Sequence, residues 1–330
     1  MTRLAGVAQL GVPAALVVAV GIGSTLVSAA NEIYFLDALI SVAIVVAIYV
    51  FVGNSGVLSF GQVSFVAVGA FAAGVMTIPL ESKTGVLPQL FPILRDHTVG
   101  NVVSLALAAA VGGILAFLVG LPLMRLSGLA AGIATFAVLE ITHNLLREWT
   151  KIGPGATTLS LVPETTGALQ ATIGALIATC VAFAYQRSRL GRQLRASRED
   201  AAAARGVGVS VHRQRLLAFT VSGALAGFAG ALLVHELGSI TTEQVYLELT
   251  FLTLAMLVVG GVSSLWGAVV GALAVSGLNS FLIEAEDGVG AVDLPSGSRL
   301  ILLGAIMATV LILRPSGITG GREFSLPGLR

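Results

Sequence analysis

Charge is scarce in this chain: 11% of its 330 residues are Asp, Glu, Lys or Arg, where soluble domains carry about a quarter. A surface that poor in charge cannot clothe a water-facing globule of this size, so the core of a soluble enzyme is excluded. There is a single cysteine, Cys180, which rules out a disulfide framework and a cysteine metal cluster. It lies within an apolar run and is expected to be a small packing residue. The four histidines, His97, His143, His212 and His235, are not spaced as metal ligands. There is no nucleophile elbow, no paired-histidine zinc motif and no Walker-type glycine loop followed by Lys. The chain therefore cannot hydrolyse ATP itself, and no cofactor or metal of its own is expected. The net charge of +1 excludes a global field for nucleic acid.

What is present is apolar text: 56% of residues are hydrophobic and the mean hydropathy is +0.96. It is arranged in stretches of about 17 to 22 residues, each near the length that crosses a hydrocarbon core. Forty glycines suit helices that approach closely where lipid supplies no drive between them. The runs are continuous rather than alternating, which excludes a transmembrane β-barrel. The pattern predicts an all-α, polytopic transmembrane bundle of about 8–10 spans in one domain over residues 1–330. Ten stretches are candidates: Val7–Ala29, Tyr34–Val52, Gln62–Leu80, Val99–Leu121, Ser127–Leu146, Leu169–Tyr185, Leu216–His235, Leu249–Gly260, Leu265–Ile283 and Arg299–Leu313. The first is longer than a signal-peptide core and leads straight into further spans, so it is read as a retained helix.

Between Arg187 and Arg215 lie eight of the eighteen basic residues, against two acids, Glu199 and Asp200. The positive-inside rule makes this loop cytoplasmic. Ten crossings then put both termini inside, with thirteen basic residues on the cytoplasmic side and five outside. The acids Glu236, Glu243, Glu248, Glu284, Glu286, Asp287 and Asp293 fall on the outer side. Trp149 and Trp266 fall near span ends, where indoles belong. Pro154 with its flanking glycines marks an external loop, and Pro315 with Gly317 stops the last helix.

Two stretches interrupt the apolar text at one level of the bundle. The first runs from Gly53 to Gly61 and continues into Gln62; the second is Gly260-Gly-Val-Ser-Ser-Leu-Trp-Gly267. Non-helical backbone at membrane depth survives only if buried in protein or lining a wet cavity, and broken helices commonly build transporter sites. A cytoplasmic hairpin turn is the plainer reading of each. The residues singled out are Asn54, Ser59, Gly61 and Gln62 in the first break and Gly260, Gly261, Ser263 and Ser264 in the second, with Thr135 on the fifth span.

Glu140 is the acid placed well inside a span. Intramembrane carboxylates usually face the bundle interior. His143 and Asn144 share its helix face, and Arg147 two turns on is expected to pair with it. Either a structural ion pair or a pathway-lining role fits. An ion- or proton-coupled carrier using Glu140 and His143 is the alternative reading of the whole chain.

The basic loop contains Arg195-Ala-Ser-Arg-Glu-Asp200-Ala-Ala-Ala-Ala-Arg-Gly206-Val-Gly208. Four alanines favour a short helix that Gly206 or Gly208 would end. A short helix with basic flanks, held outside the bilayer, suits docking; attraction to anionic membrane lipid is the plainer account.

From Ser188 to Asp200 and onward through Leu217 to Ala231, the chain resembles the membrane subunits of bacterial ATP-binding cassette importers for branched-chain amino acids. Within them it is most similar to the second of the two permeases of the leucine/isoleucine/valine system. Further similar stretches are Gly53 to Gly74, Arg125 to Ile141, Val259 to Ala272 and Arg314 to Gly320. The resemblance implies the importer permease fold with broken helices and a coupling element in the loop 187–215. Arg195, Glu199, Asp200, Ala203, Ala204 and Gly208 would meet an ATP-binding subunit, with Ala201, Ala202 and Gly206 as an alternative register. It implies a sister permease, two ATP-binding subunits that hold ATP and magnesium, an extracytoplasmic solute-binding protein, and a bacterial inner-membrane location. Gln62 stands where the family often has His, Asn54 where it often has an aromatic residue, and Ala201 where it often has an acid. Branched-chain amino acids, amides and other small solutes therefore stay open as substrates.

Overall fold

A computed structural model describes residues 3–286, 295 and 297–324. Asp287 and Asp293, assigned to the outer side from sequence, lie outside these residues. Long runs of Val, Ile, Leu and Ala become helices because lipid offers the backbone no partner and only a helix satisfies every N–H internally. In chain order the helices are α1 (Arg3–Leu26), α2 (Ala29–Ser55), α3 (Gln62–Thr77), the short α4 (Leu80–Val86) and α5 (Pro92–Arg95), α6 (Asn101–Leu123) and α7 (Leu129–Glu148). Then follow α8 (Ala168–Arg187), α9 (Arg189–Glu199), α10 (Ala201–Gly206), α11 (Val211–Leu237), α12 (Leu247–Gly260), α13 (Leu265–Glu286) and α14 (Ser298–Leu313).

Each of the ten stretches expected to span forms a helix, so the polytopic bundle read from the sequence holds. Among the described residues, seven helices are long and apolar enough to cross a membrane by themselves. The other three, α3, α12 and α14, are apolar but have 16, 14 and 16 residues. At 1.5 Å per residue such helices reach only about 21 to 24 Å, short of a core roughly 30 Å thick. Two of the three adjoin the breaks foreseen at Gly53–Gly61 and Gly260–Gly267.

The bundle is organised around α2 and α11. From Leu39 to Val52, α2 is almost wholly buried, enclosed by α8, α11 and α13. Helix α11 packs against α6, α3 and α2. Its approach to α6 needs glycine, because a Cβ on Gly112 would lie 2.5 Å from the carbonyl oxygen of Gly223. Phe219 of α11 meets Phe51 and Phe65 edge-on, with centroids 5.1 and 5.3 Å away. By contrast α7 sits at the periphery, against α3 and α6, with Ile133, Phe136, Ile141 and Leu145 exposed. Cys180 corrects the expectation of a packing role: it is exposed on α8.

The two ends of the bundle differ. At the basic end lie α9 and α10, both breaks and both ends of the described chain; Gln9 of α1, for instance, accepts from Arg187 at 3.1 Å. At the opposite end the connections form a cap over a second apolar cluster that includes Phe71, Ile78, Leu87, Leu159 and Ile240. There Leu159 and Ile240 make an isolated antiparallel bridge. Buried His235 contacts Ser104 Oγ at 2.9 Å and the Pro163 carbonyl at 3.2 Å, and Lys83 donates to the His97 carbonyl at 2.7 Å.

Candidate functional site

The basic loop folds into two helices set at an angle. Ser188 caps α9, accepting from the Gly191 amide at 3.1 Å. The residues Gly191, Leu194 and Ser197, spaced three apart, form its buried face. Asp200 caps α10, its carboxylate accepting from the amides of Ala202 and Ala203 at 2.8 and 2.9 Å. Those two amides hold the Asp200 carboxyl below the usual carboxylate range. The chain leaves α10 through Gly208, whose φ of +84° favours glycine, while the Val209 amide reaches back to the Ala204 carbonyl at 2.9 Å. Ala204 is buried, whereas Ala202, Ala203, Gly206 and Val207 are exposed. Glu199 is also exposed.

Arg195 does not extend outward with them. It crosses to the end of α2, where Nε donates to Asn54 Oδ1 at 2.7 Å and Nη2 donates to Tyr49 Oη at 2.8 Å and Gln186 Oε1 at 2.7 Å. Arg198 adds a bond from Nη1 to the Gly53 carbonyl at 2.9 Å. A planar guanidinium with several fixed donors suits this multiple fastening. The loop helix is thereby bolted to the first break.

The second break joins the same cluster. A Cβ on Gly53 would lie 2.7 Å from the Val262 carbonyl oxygen, so the two breaks touch. After α14 the chain returns across the second break. The Ile318 amide donates to the Val259 carbonyl at 2.8 Å, and Thr319 Oγ1 donates to the Gly260 carbonyl at 2.7 Å. Ser263 Oγ donates to the Gly321 carbonyl at 3.2 Å. Gly261 adopts φ +121° beside Thr319, and Ser264 Oγ accepts the Gly267 amide at 2.8 Å to cap α13. Glu323 then sits at the start of α13, accepting from the amides of Leu265 and Trp266 at 3.0 and 3.4 Å and from Tyr49 Oη at 3.4 Å. A carboxylate is favoured at a helix N-terminus. One network thus runs from α9 through Tyr49 to α13.

The rest of the first break faces α7. The Phe60 amide donates to Thr135 Oγ1 at 3.2 Å, and a Cβ on Gly61 would lie 2.5 Å from the Thr135 carbonyl oxygen. Gln62 Oε1 accepts from Ser222 Oγ at 3.1 Å. Ser59 Oγ, Gln62 Nε2 and Ser64 Oγ are buried without a hydrogen-bond partner among the described residues. Three such groups at one helix junction are unusual, because buried polar atoms are normally paired.

Glu140 departs from expectation twice. It is exposed on the flank of α7 rather than facing the interior, and it does not pair with Arg147. Instead it accepts from Asn144 Nδ2 at 2.8 Å and from Tyr246 Oη. The Tyr246 hydroxyl is pushed up to about 12 by that carboxylate. His143 stacks on the Tyr246 ring with centroids 3.9 Å apart. Arg147 turns to Glu243 and Glu148, at 3.9 and 3.8 Å. Toward the basic end of the same flank, Phe60 stands between Phe136 and Phe251, both exposed, with centroids 6.4 and 6.3 Å away. The open side of α7 and α12 therefore carries aromatic rings below a polar cluster.

Residues 32–311 match the family described as branched-chain amino acid transport system / permease component. The chain belongs to this family. Among its relatives is the high-affinity branched-chain amino acid transport system permease protein LivM of Salmonella typhimurium, 26% identical over 303 residues that cover 82% of this chain and 65% of that one. LivM of Escherichia coli K12 gives the same figures. The autoinducer 2 import system permease protein LsrC of Enterobacter sp. strain 638 is 29% identical over 218 residues, 64% of this chain and 62% of that one. The chain thus spans just under two thirds of the length of the LivM proteins it matches. No solved structure matches it.

The permease family match takes in α9, α10, both breaks and Glu140, and ends before the segment that carries Thr319 and Glu323. The roles of Tyr49, Gln186, Tyr246 and Glu323 were hard to see from sequence. Tyr49 lies within a long apolar run, Gln186 precedes the conspicuous arginines, and Glu323 is one acid in a polar tail. For Tyr49 the available signal was a tyrosine deep inside a span, with a hydroxyl that must find a partner.

Proposed function

We propose that this chain is a membrane-spanning permease subunit of an ATP-binding cassette importer. It forms half of a translocation pathway, with a sister permease supplying the other half. The solutes are branched-chain amino acids or related small amino acids and amides, delivered by an extracytoplasmic binding protein. The basic end faces the cytoplasm of a bacterial inner membrane, with both termini there. The observation that carries this reading is the placement of α10. Its exposed Ala202, Ala203, Gly206 and Val207 form a small, smooth knob on a base that Arg195 and Arg198 fasten to α2.

In this reading two ATP-binding subunits hold the nucleotide and its magnesium, and α10 with Glu199 and Asp200 sits against one of them. Movement of the knob passes through α9 to the end of α2 and, by way of Tyr49 and Glu323, to α13. A packed bundle responds to such a push by shifting elements as rigid bodies. The pathway borders the open flank of α7, where Glu140 is exposed and Ser59, Gln62 and Thr135 form a buried polar junction behind it; Asn54, Gly61, Gly260, Gly261, Ser263 and Ser264 shape the junction beneath it.

Purification of the tagged chain from its native membrane should recover an ATPase subunit and a second permease. Uptake should stop on ATP depletion. Replacing Gly208 with Val should abolish uptake while leaving the chain in the membrane, because a β-branched residue cannot readily hold φ near +84°. Uptake that survives ATP depletion and collapses with an ion gradient would overturn the reading.

A further inference from the structure

At the basic end, beside α10, three arginines and a histidine surround a cavity of about 450 Å³ whose wall, among the described residues, holds no acid. Its polar lining is Arg125 and Ser127 from the α6–α7 turn, Arg205 from α10, and Ser210, His212 and Arg215 from the start of α11. The nearest acids in sequence, Glu199 and Asp200, are not in the wall, and Asp200 is engaged in capping α10.

The cations are under-used. Arg215 makes one side-chain hydrogen bond, from Nη1 to the Leu126 carbonyl at 3.3 Å. Its Nε and His212 Nδ1 are buried with no partner among the described residues. Arg205 and Arg125 make no side-chain hydrogen bond among them. Ser210 occupies the N-cap position of α11 but its side chain caps nothing. The first turn of a 27-residue helix therefore lines the cavity without a side-chain cap, at the positive end of its dipole. Like charges are gathered here with no acid in the wall among the described residues, at a cost that a bound anion would remove.

We propose that this cavity binds the phosphate of an anionic phospholipid headgroup. A phosphate ester satisfies forked guanidinium donors and free helix amides together. The neighbours of the cationic residues favour a lipid as its source: Leu126 and Leu129, in the same short turn as Arg125 and Ser127, are exposed, giving acyl chains an apolar surface close to the charge. Because Arg205 belongs to α10, a seated headgroup ties the coupling knob to the inner leaflet. The binding itself depends only on the basic end meeting that leaflet, and it stands apart from which solute the chain moves.

The test is native mass spectrometry of the full chain released from mild detergent with equal phosphatidylglycerol and phosphatidylcholine. The wild type should retain phosphatidylglycerol preferentially. Arg125→Gln and Arg205→Gln should each weaken that retention about five-fold, since a basic residue at the surface is worth about 1 kcal/mol toward anionic lipid, and should leave phosphatidylcholine unaffected. Arg205 lies on the exposed α10, so Arg205→Gln tests the site without disturbing the bundle, and Arg205→Lys should keep most of the preference. Equal retention of both lipids by the wild type, or an unchanged preference in both Gln variants, overturns the site. Release of the retained lipid by millimolar inorganic phosphate, with the same arginine dependence, overturns the lipid assignment in favour of a free anion.

Discussion

Arg195 of α9 donates from Nε to the Oδ1 of Asn54 at 2.7 Å, across 141 residues of chain. Asn54 is itself fixed by a bond from Nδ2 to the Val50 carbonyl at 2.9 Å. The two side chains join the end of a buried helix to the loop helix beside it. A residue that the family resemblance offered as a contact for a partner subunit is thus bonded within the chain, while Ala202, Ala203, Gly206 and Val207 around α10 stay exposed.

Removing that bolt should loosen α9 without unfolding the bundle. Hydrogen bonds to charged groups are worth roughly 1.5–3 kcal/mol each, and Arg195→Ala forfeits three acceptors. Hydrogen exchange across residues 189–199 should rise by at least ten-fold, and uptake should fall. Arg195→Lys should recover only part of the protection, because an ammonium cannot present the planar fork. Full protection in Arg195→Lys would show that charge alone suffices.

The contact between the two breaks leaves no room for a methyl group. Gly53→Ala would set a Cβ 2.7 Å from the Val262 carbonyl oxygen, with the Tyr49 ring also in the way. Overpacking of this kind costs about 1–3 kcal/mol, so the melting temperature in detergent should fall by several degrees. An unchanged melting temperature would mean that the breaks part easily.

The cap of α10 sets a pH dependence. Asp200 is held below its ordinary value of 3.8 by the amides of Ala203 and Ala202. A depressed acid stabilises the folded form above its unfolded value, and that contribution is lost as pH falls through the folded one. The cap is then complete at neutral pH and fails only below about 3.8. Amide resonances of Ala202 and Ala203 in alanine-labelled protein should titrate with a midpoint under that value; a midpoint above it would contradict the geometry. Asp200→Asn should retain the cap and Asp200→Ala should lose it.

Glu140 and Tyr246 should act as a unit in transport rather than in folding. Glu140 is exposed, so Glu140→Gln should leave yield and melting temperature near those of the parent while uptake falls. Tyr246→Phe should lower uptake similarly, and the double variant should be little worse than either single one. Additive losses would show that the two act separately, and a loss of yield would return Glu140 to a structural role.

Much of the fold was legible because lipid imposes one rule, that backbone polar groups be satisfied within each segment. Apolar runs such as Tyr34–Val52 and Leu216–His235 could only be helices. The short helix at Ala201–Gly206 was equally readable from its alanines and the glycine that ends it. The environment of Glu140 was not readable. A lone acid in a span was assigned to the interior and to Arg147, the nearest cation on its helix, but Tyr246 arrives from another helix and Arg147 is drawn to Glu243.

By itself the sequence determined the solvent, the helices, the breaks and the basic loop, because each is set by composition and neighbours within a few residues. Only the tertiary structure decided that Arg195 turns inward, that both breaks and the Glu323 segment meet at Tyr49, and that Arg125, Arg205 and Arg215 share one cavity. Those relationships depend on which helix ends lie side by side, and contacts as short as a hydrogen bond between different helices cannot be read from the order of residues along the chain.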